Sequence, residues 1–240
     1  MEIVFEVNRY NPEKKEGNFY QEFSLPVDQG DLEELTVLDS LKRLKEEKEG
    51  SLTFRHSCGH GSCGSCAMLI NGENRLACKT HLIDLVSEKE TRIKVSPLPG
   101  FPVVKDLVAE LESFFAQDEK VSPYLIVKNG SVTKEERLQT PEELEQIQEA
   151  TKCIMCGACT SSCPTYWDNK KYFGPAAFVK AFRWERDSRD ESDDERMNLL
   201  DDNRGGVWGC NKVFNCEEAC PKDIDTVGII DLLKREALGF

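Results

Sequence analysis

Eleven cysteines in 240 residues constrain this chain more than any other feature. Four fall between residues 58 and 78: Cys58, Cys63, Cys66 and Cys78. Seven fall between 153 and 220: Cys153, Cys156, Cys159, Cys163, Cys210, Cys216 and Cys220. Residues 79–152 contain none. No export signal is visible ahead of EIVFEV, so a reducing compartment is expected, where thiols in such numbers mean metal rather than disulfides. Two separated groups suggest two domains, each built around its own inorganic centre. Acidic residues outnumber basic ones 44 to 31, for a net charge of −13, which weighs against nucleic acid or anionic lipid as a partner. No apolar run approaches the ~18–20 residues that span a bilayer, so any membrane attachment would have to come from a partner.

The N-terminal part reads as strands crossed by one helix. Ile3, Phe5 and Val7 alternate with polar residues, and YQEFSLPV follows a polar turn, as in an opening hairpin. TVLDSLKRLKEEK places Val37, Leu38, Leu41 and Leu44 on one helical face. AMLI, Asn71-Gly72 and NRLA form the strongest hairpin signal in the chain, and TRIKV reads as a last strand. A mixed sheet, one helix and a cysteine loop before a hairpin suggest the β-grasp fold of plant-type ferredoxins. SPLPGFP at 96–102 breaks both periodicities and marks a boundary. The expected division is 1–100 and 101–240. Beyond it VVKDLVAELESFFAQ, PEELEQIQEATK, GPAAFVKAFRWERDS, DDERMNLLDD and DIDTVGIIDLLKREAL all carry helix-spaced apolar residues. The fold class is therefore α+β, a β-grasp domain followed by an all-helical, bacterial-ferredoxin-like one. The acidic run 187–202 reads as a solvated helix face or loop.

Cys58-x4-Cys63-x2-Cys66 with distant Cys78 has the spacing of a plant-type [2Fe–2S] site. Gly59, Gly61 and Gly64 let the loop wrap closely and turn backbone N–H groups towards sulfur. A structural zinc site fits the x4 gap and the glycines poorly. Cys58-x-His60 with Cys78-x2-His81 also matches the ligand pattern of a Rieske centre, but that would leave Cys63 and Cys66 without a role. His60 and His81 read as surface residues or as neighbours of the ligands.

Cys153-x2-Cys156-x2-Cys159-x3-Cys163-Pro164 is the bacterial ferredoxin run, whose fourth cysteine serves a second cluster. The partner run is Cys210-x5-Cys216-x3-Cys220-Pro221, with Val213 where another cysteine would complete it. By exchange, Cys153, Cys156, Cys159 and Cys220 make a full [4Fe–4S] set. Cys163, Cys210 and Cys216 supply three thiolates, which suit [3Fe–4S], or a [4Fe–4S] cluster with one non-cysteine ligand. All eleven cysteines are then used. No catalytic triad or paired-carboxylate site is evident.

These residues closely resemble the iron–sulfur subunits of the succinate dehydrogenase and fumarate reductase family, over essentially the whole chain. SCGHGSCGSCAMLINGENRLAC is similar to the family's [2Fe–2S] loop and PLPGFPVVKDLV to its interdomain stretch. CIMCGACTSSCPTYW and GCNKVFNCEEACPKDID are similar to its second-domain motifs, Val213 included. The resemblance implies an electron-transfer subunit with a flavoprotein partner carrying covalent FAD. It also implies a membrane anchor, with or without haem b, and a quinone at the interface with that anchor. The order would be flavin, [2Fe–2S], [4Fe–4S], [3Fe–4S], quinone, since electrons tunnel over limited distances and three centres in line cross a protein that one cannot. The dicarboxylate chemistry would sit on the flavoprotein. The place would be the cytoplasmic face of the inner membrane, as a peripheral subunit. The family's quinone pocket maps onto Pro164, Thr165, Val213 and Lys234, with Trp167 close by. Asp168 and Asn211 depart from the tryptophan and histidine of many members, which leans towards menaquinone or a different anchor. Three rivals remain at this point: the same module fed by a thiol or soluble donor, a dehydratase-like enzyme with an open iron near Val213, and a zinc-bound structural adaptor.

Overall fold

Alternation of apolar and polar side chains shapes the first 26 residues. Ile3, Phe5 and Val7 are fully buried from β1 (Glu2–Arg9), which pairs antiparallel with β2 (Phe19–Pro26). The computed structural model describes residues 1–14, 17–128, 136–192 and 195–239, and its backbone divides into two units. The first is Met1–Leu111 with Ile154–Ser161, and the second is Glu112–Cys153 with Ser162–Phe240.

In the first unit Thr36 opens α1 (Val37–Glu47) with a capping box, exchanging hydrogen bonds with Asp39. The helix buries Val37, Leu38, Leu41 and Leu44 against the sheet, side chains worth ~1.5–3 kcal/mol each when taken from water. β3 (Ala67–Ile70) and β4 (Glu73–Leu76) form the expected hairpin. Asn71 at φ 48° and Gly72 at φ 88° make its two-residue turn. β5 (Arg92–Ser96) runs parallel to β1 and antiparallel to β3, giving the strand order β2-β1-β5-β3-β4. This is the mixed, helix-crossed sheet of the β-grasp fold.

The stretch 103–117, whose apolar spacing reads as helix, is instead a short hairpin of β6 (Val103–Lys105) and β7 (Val108–Ala109) followed by a helix from Glu112. Asp106 is the cause. Its buried carboxylate accepts hydrogen bonds from Arg9 Nε (3.0 Å), Tyr10 N (3.1 Å) and Thr53 N (2.9 Å), and its backbone takes φ 46° at the turn. Those partners lie on or beside the sheet, so residues 101–111 belong to the first unit rather than beginning the second at 101. One turn of helix, α4 (Ala158–Ser161), belongs there too: Asn74 Nδ2 donates to Ala158 O and Ser161 Oγ to Pro99 O.

The regular elements among the described residues of the second unit are helices. They comprise α2 (Glu112–Lys120), α3 (Pro141–Thr151), α5 (Pro164–Asp168), α6 (Pro175–Glu185), α7 (Glu195–Leu200), α8 (Asn215–Glu218) and α9 (Thr226–Ala237). Proline begins α3, α5 and α6, where its missing N–H costs nothing. Thr140 caps α3 reciprocally with Glu143, and Asp225 caps α9 through Gly228 N. α6 is the hub, packed against α2, α3, α7 and α9 with alanines and phenylalanines buried on it. Among the described residues no helix is long and apolar enough to cross a membrane.

The described residues of the acidic run 187–202 are divided: Glu195, Asp201 and Asp202 are exposed, as expected of a solvated face, while others are drawn inside. Asp187, Ser192 and Arg196 are buried, and Arg196 bonds Asp190, Glu185, Ser192 and the carbonyls of Val121 and Ser122. Arg183 and Arg189 pair with Asp187, and buried Arg196 pairs with Asp190. Of the expected helix 193–202, α7 accounts for Glu195–Leu200, and positions 193 and 194 lie outside the described residues.

Candidate metal centres

All eleven cysteines are described and none forms a disulfide. The loop Cys58–Cys66 runs from the end of the α1 crossover into β3, and Cys78 follows β4, so the Asn71-Gly72 hairpin returns the fourth thiol to the loop. Cys66 and Cys78 are buried beside each other in the core of the first unit. Gly59, Gly61 and Gly64 hold φ of 75°, 78° and 70°, and the loop they bend turns three amides onto one sulfur. Cys58 Sγ accepts from His60 N (3.5 Å), Ser62 N (3.4 Å) and Cys63 N (3.4 Å). Those donors bring the Cys58 thiol down to about 6, whereas burial pushes Cys66 up to about 12. A nest of amides around a thiolate suits an iron–sulfur group, whose sulfurs carry negative charge. His60 is exposed. His81 lies at a backbone bridge to Thr36 with its Nδ1 buried and unpartnered.

In the second unit Cys163 immediately precedes α5, Cys210 follows the turn Val207–Gly209, and Cys216 lies in α8. All three line one partly open cavity, together with Pro164, Thr165 and Val213. Burial raises the Cys163 and Cys216 thiols, the latter to about 12, and each of these thiols is raised further by Cys210. Thiols held neutral in this way by burial and by their neighbours are what a cationic iron core would ionise and bind. Lys212 (φ 54°) and Phe214 (φ 66°) are both left-handed, and Val213 between them is 52% exposed. Ser162 and Asn215 tie the two cysteine segments together, Ser162 Oγ donating to Asn215 O at 3.0 Å. Asn211 Nδ2 donates to Thr165 Oγ1, and Lys234 Nζ to Cys210 O at 3.1 Å. Of the five expected pocket residues, Pro164, Thr165 and Val213 line the cavity. Trp167, 45% exposed, and Lys234 are not among its lining residues.

Of the remaining four cysteines, Cys156 and Cys159 belong to the first unit and Cys153 and Cys220 to the second. Among the described residues no three His, Cys, Asp or Glu side chains are gathered as ligands of a single metal ion.

Two residues at these sites carry no sequence signal of their own. Tyr172, fully buried, lines the three-cysteine cavity with its hydroxyl unpartnered. Burial first, then Cys210, Cys163 and Cys216, push its phenol far above the ordinary value. Gly209 makes room for it, because a Cβ there would lie 2.7 Å from the Tyr172 ring.

Fold and sites together define an iron–sulfur protein with a plant-type ferredoxin unit and a helical unit whose cysteine loops follow the bacterial ferredoxin pattern. A family model described as a 2Fe-2S iron–sulfur cluster binding domain matches residues 4–116, and one described as a 4Fe-4S dicluster domain matches residues 149–224. The chain is 39% identical over 239 residues to the succinate dehydrogenase iron–sulfur subunit of Coxiella burnetii, covering 98% of this chain and 97% of that one. It is also 39% identical over 232 residues to the subunit of the same name from Paracoccus denitrificans, covering 96% and 86%. Among solved structures, a chain of the Mycobacterium smegmatis Sdh1 complex in the apo form superposes with a TM-score of 0.86 at 26% identity, covering 99% of this chain and 96% of that one. The chain belongs to the family of succinate dehydrogenase iron–sulfur subunits, and its work is electron transfer.

Proposed function

We propose that this subunit relays electrons between a flavoprotein that oxidises succinate (or reduces fumarate) and a quinone at a membrane anchor. Its ligand sets are Cys58, Cys63, Cys66 and Cys78 for [2Fe–2S]; Cys153, Cys156, Cys159 and Cys220 for [4Fe–4S]; and Cys163, Cys210 and Cys216 for [3Fe–4S]. The partners are a flavoprotein with covalent FAD and a membrane anchor, with or without haem b, on the cytoplasmic face of the inner membrane. The bound clusters supply one-electron chemistry. The chain's own residues hold them rigidly, exclude water and set their charge environment.

The observation that carries this proposal is the cavity with three cysteines and a valine: Cys163, Cys210 and Cys216 face one space, and Val213 brings no sulfur to it. Pro164, Thr165 and Val213 on the same cavity support a quinone site beside the third centre, and Lys234 is tied to it through the Cys210 carbonyl. The test is Val213→Cys. A fourth thiolate should convert the three-iron centre to [4Fe–4S], with one more iron per chain and loss of the oxidised three-iron EPR signal. Unchanged iron content and an unchanged spectrum would contradict the assignment.

A further inference from the structure

Buried hydroxyls in native proteins have partners, and each exception needs an explanation. Tyr172 is such an exception. Its side chain is fully buried, and its hydroxyl makes no well-formed hydrogen bond, although the Cys210 thiol lies close enough to interact with it. The ring has nowhere to swing. One face lies against Gly209, where even a methyl group would collide at 2.7 Å with Cδ2 and 2.9 Å with Cε2. Phe178 packs edge-on against it, with ring centroids 5.4 Å apart and planes at 61°. The backbone is fixed as well, Tyr172 N donating to Asn169 O at 3.1 Å. What the hydroxyl does share is the cavity of Cys163, Cys210 and Cys216.

We propose that Tyr172 donates its hydroxyl hydrogen bond to sulfur of the centre held by Cys163, Cys210 and Cys216, and thereby raises that centre's reduction potential. This rests on the three-thiolate reading above. The cavity offers the hydroxyl no other acceptor of comparable charge, and a donor is what an electron-rich sulfur lacks. The reduced centre carries one more negative charge than the oxidised one. A fixed donor therefore stabilises the reduced form more and shifts the couple upwards. The last iron–sulfur centre before an acceptor is where such a shift matters, because it makes the centre a sink for electrons arriving along the chain. Gly209 is part of the device, since any side chain there would displace the ring.

The test is Tyr172→Phe in the assembled holo complex, which keeps the ring and its packing and removes only the oxygen. In an EPR-monitored redox titration the ratio of reduced to oxidised three-iron centre at a fixed potential should fall about tenfold, equal to 59 mV for a one-electron couple. A change of less than about twofold, with the signal intact, overturns the proposal. A second measurement needs no variant. Proton ENDOR of the unsubstituted protein should show a strongly coupled proton that exchanges slowly in D2O, as expected for a fully buried hydroxyl. Its absence overturns the role of Tyr172 even if the variant fails to assemble. Absence of any three-iron signal in the unsubstituted protein overturns the cluster assignment itself, and the tyrosine's role falls with it.

Discussion

A Cβ on Gly64 would lie 2.8 Å from Cys156 Cβ and 2.9 Å from its Cα. The loop that holds the first group of cysteines therefore touches the backbone of the second group within one folded unit, at a residue that also needs φ +70°. Side chain and conformation are both excluded, so glycine is required twice over.

Gly64→Ala is expected to push the Cys63–Cys66 segment off Cys156. The [2Fe–2S] EPR signal should broaden or vanish while the three-iron signal, in the other unit, persists. Gly59→Ala is the control. Nothing lies within 4 Å of its Cβ, so it meets only left-handed strain of roughly 1–2 kcal/mol and should keep its cluster. Equal effects of the two substitutions would contradict the close-approach role.

His60→Ala combined with His81→Ala should leave the [2Fe–2S] centre in place. His60 is exposed, and four cysteines already surround the loop. The measurement is the reduced-state EPR signal and its midpoint potential. Loss of the cluster would mean histidine ligation.

Arg196→Ala removes a buried guanidinium, 1% exposed, that joins Asp190 and Glu185 to the carbonyls of Val121 and Ser122. Breaking a buried pair from one side costs about 3–5 kcal/mol, because the abandoned carboxylates stay where they are. Urea unfolding of the full chain, followed by circular dichroism, should show a loss of that size. A loss below about 1 kcal/mol would mean that Arg196 is incidental.

Asp187 is the acid-sensitive point of the same network. Arg189 donates to both carboxylate oxygens at 2.8 Å, and this hydrogen bonding, more than the charge of Arg183, holds Asp187 below the ordinary carboxylate value. A carboxyl with a depressed folded-state value stabilises the protein above its unfolded value of ~3.9, and that contribution is lost as pH falls through the folded value. Asp187→Asn should therefore be less stable than the unsubstituted chain at pH 7, by about 1–3 kcal/mol, and the gap should close below about pH 4. Thermal unfolding across that range, read by tryptophan fluorescence, is the check. A gap that is constant with pH would rule out the carboxylate charge as its source.

The legible parts of this protein were those with local causes. The Asn71-Gly72 turn and the cysteine spacings each act over a few residues, and each announces itself in the chain. The illegible parts depend on partners far away. Residues 103–109 have helical spacing, yet Asp106 is bonded to Arg9, Tyr10 and Thr53, so the stretch turns back as a hairpin. Part of the acidic run is solvated, as its charge suggests, but Asp190 is paired in space with the buried Arg196. Tyr172 and Gly209 were silent for the same reason: neither means anything until the ring and the bare backbone face each other.

The most direct measurement is low-temperature EPR of the purified complex. An oxidised-state three-iron signal, joined on reduction by two further centres, is predicted from four, four and three cysteine ligands. Two [4Fe–4S] centres, or no oxidised-state signal, would contradict the assignment of Cys163, Cys210 and Cys216 beside Val213.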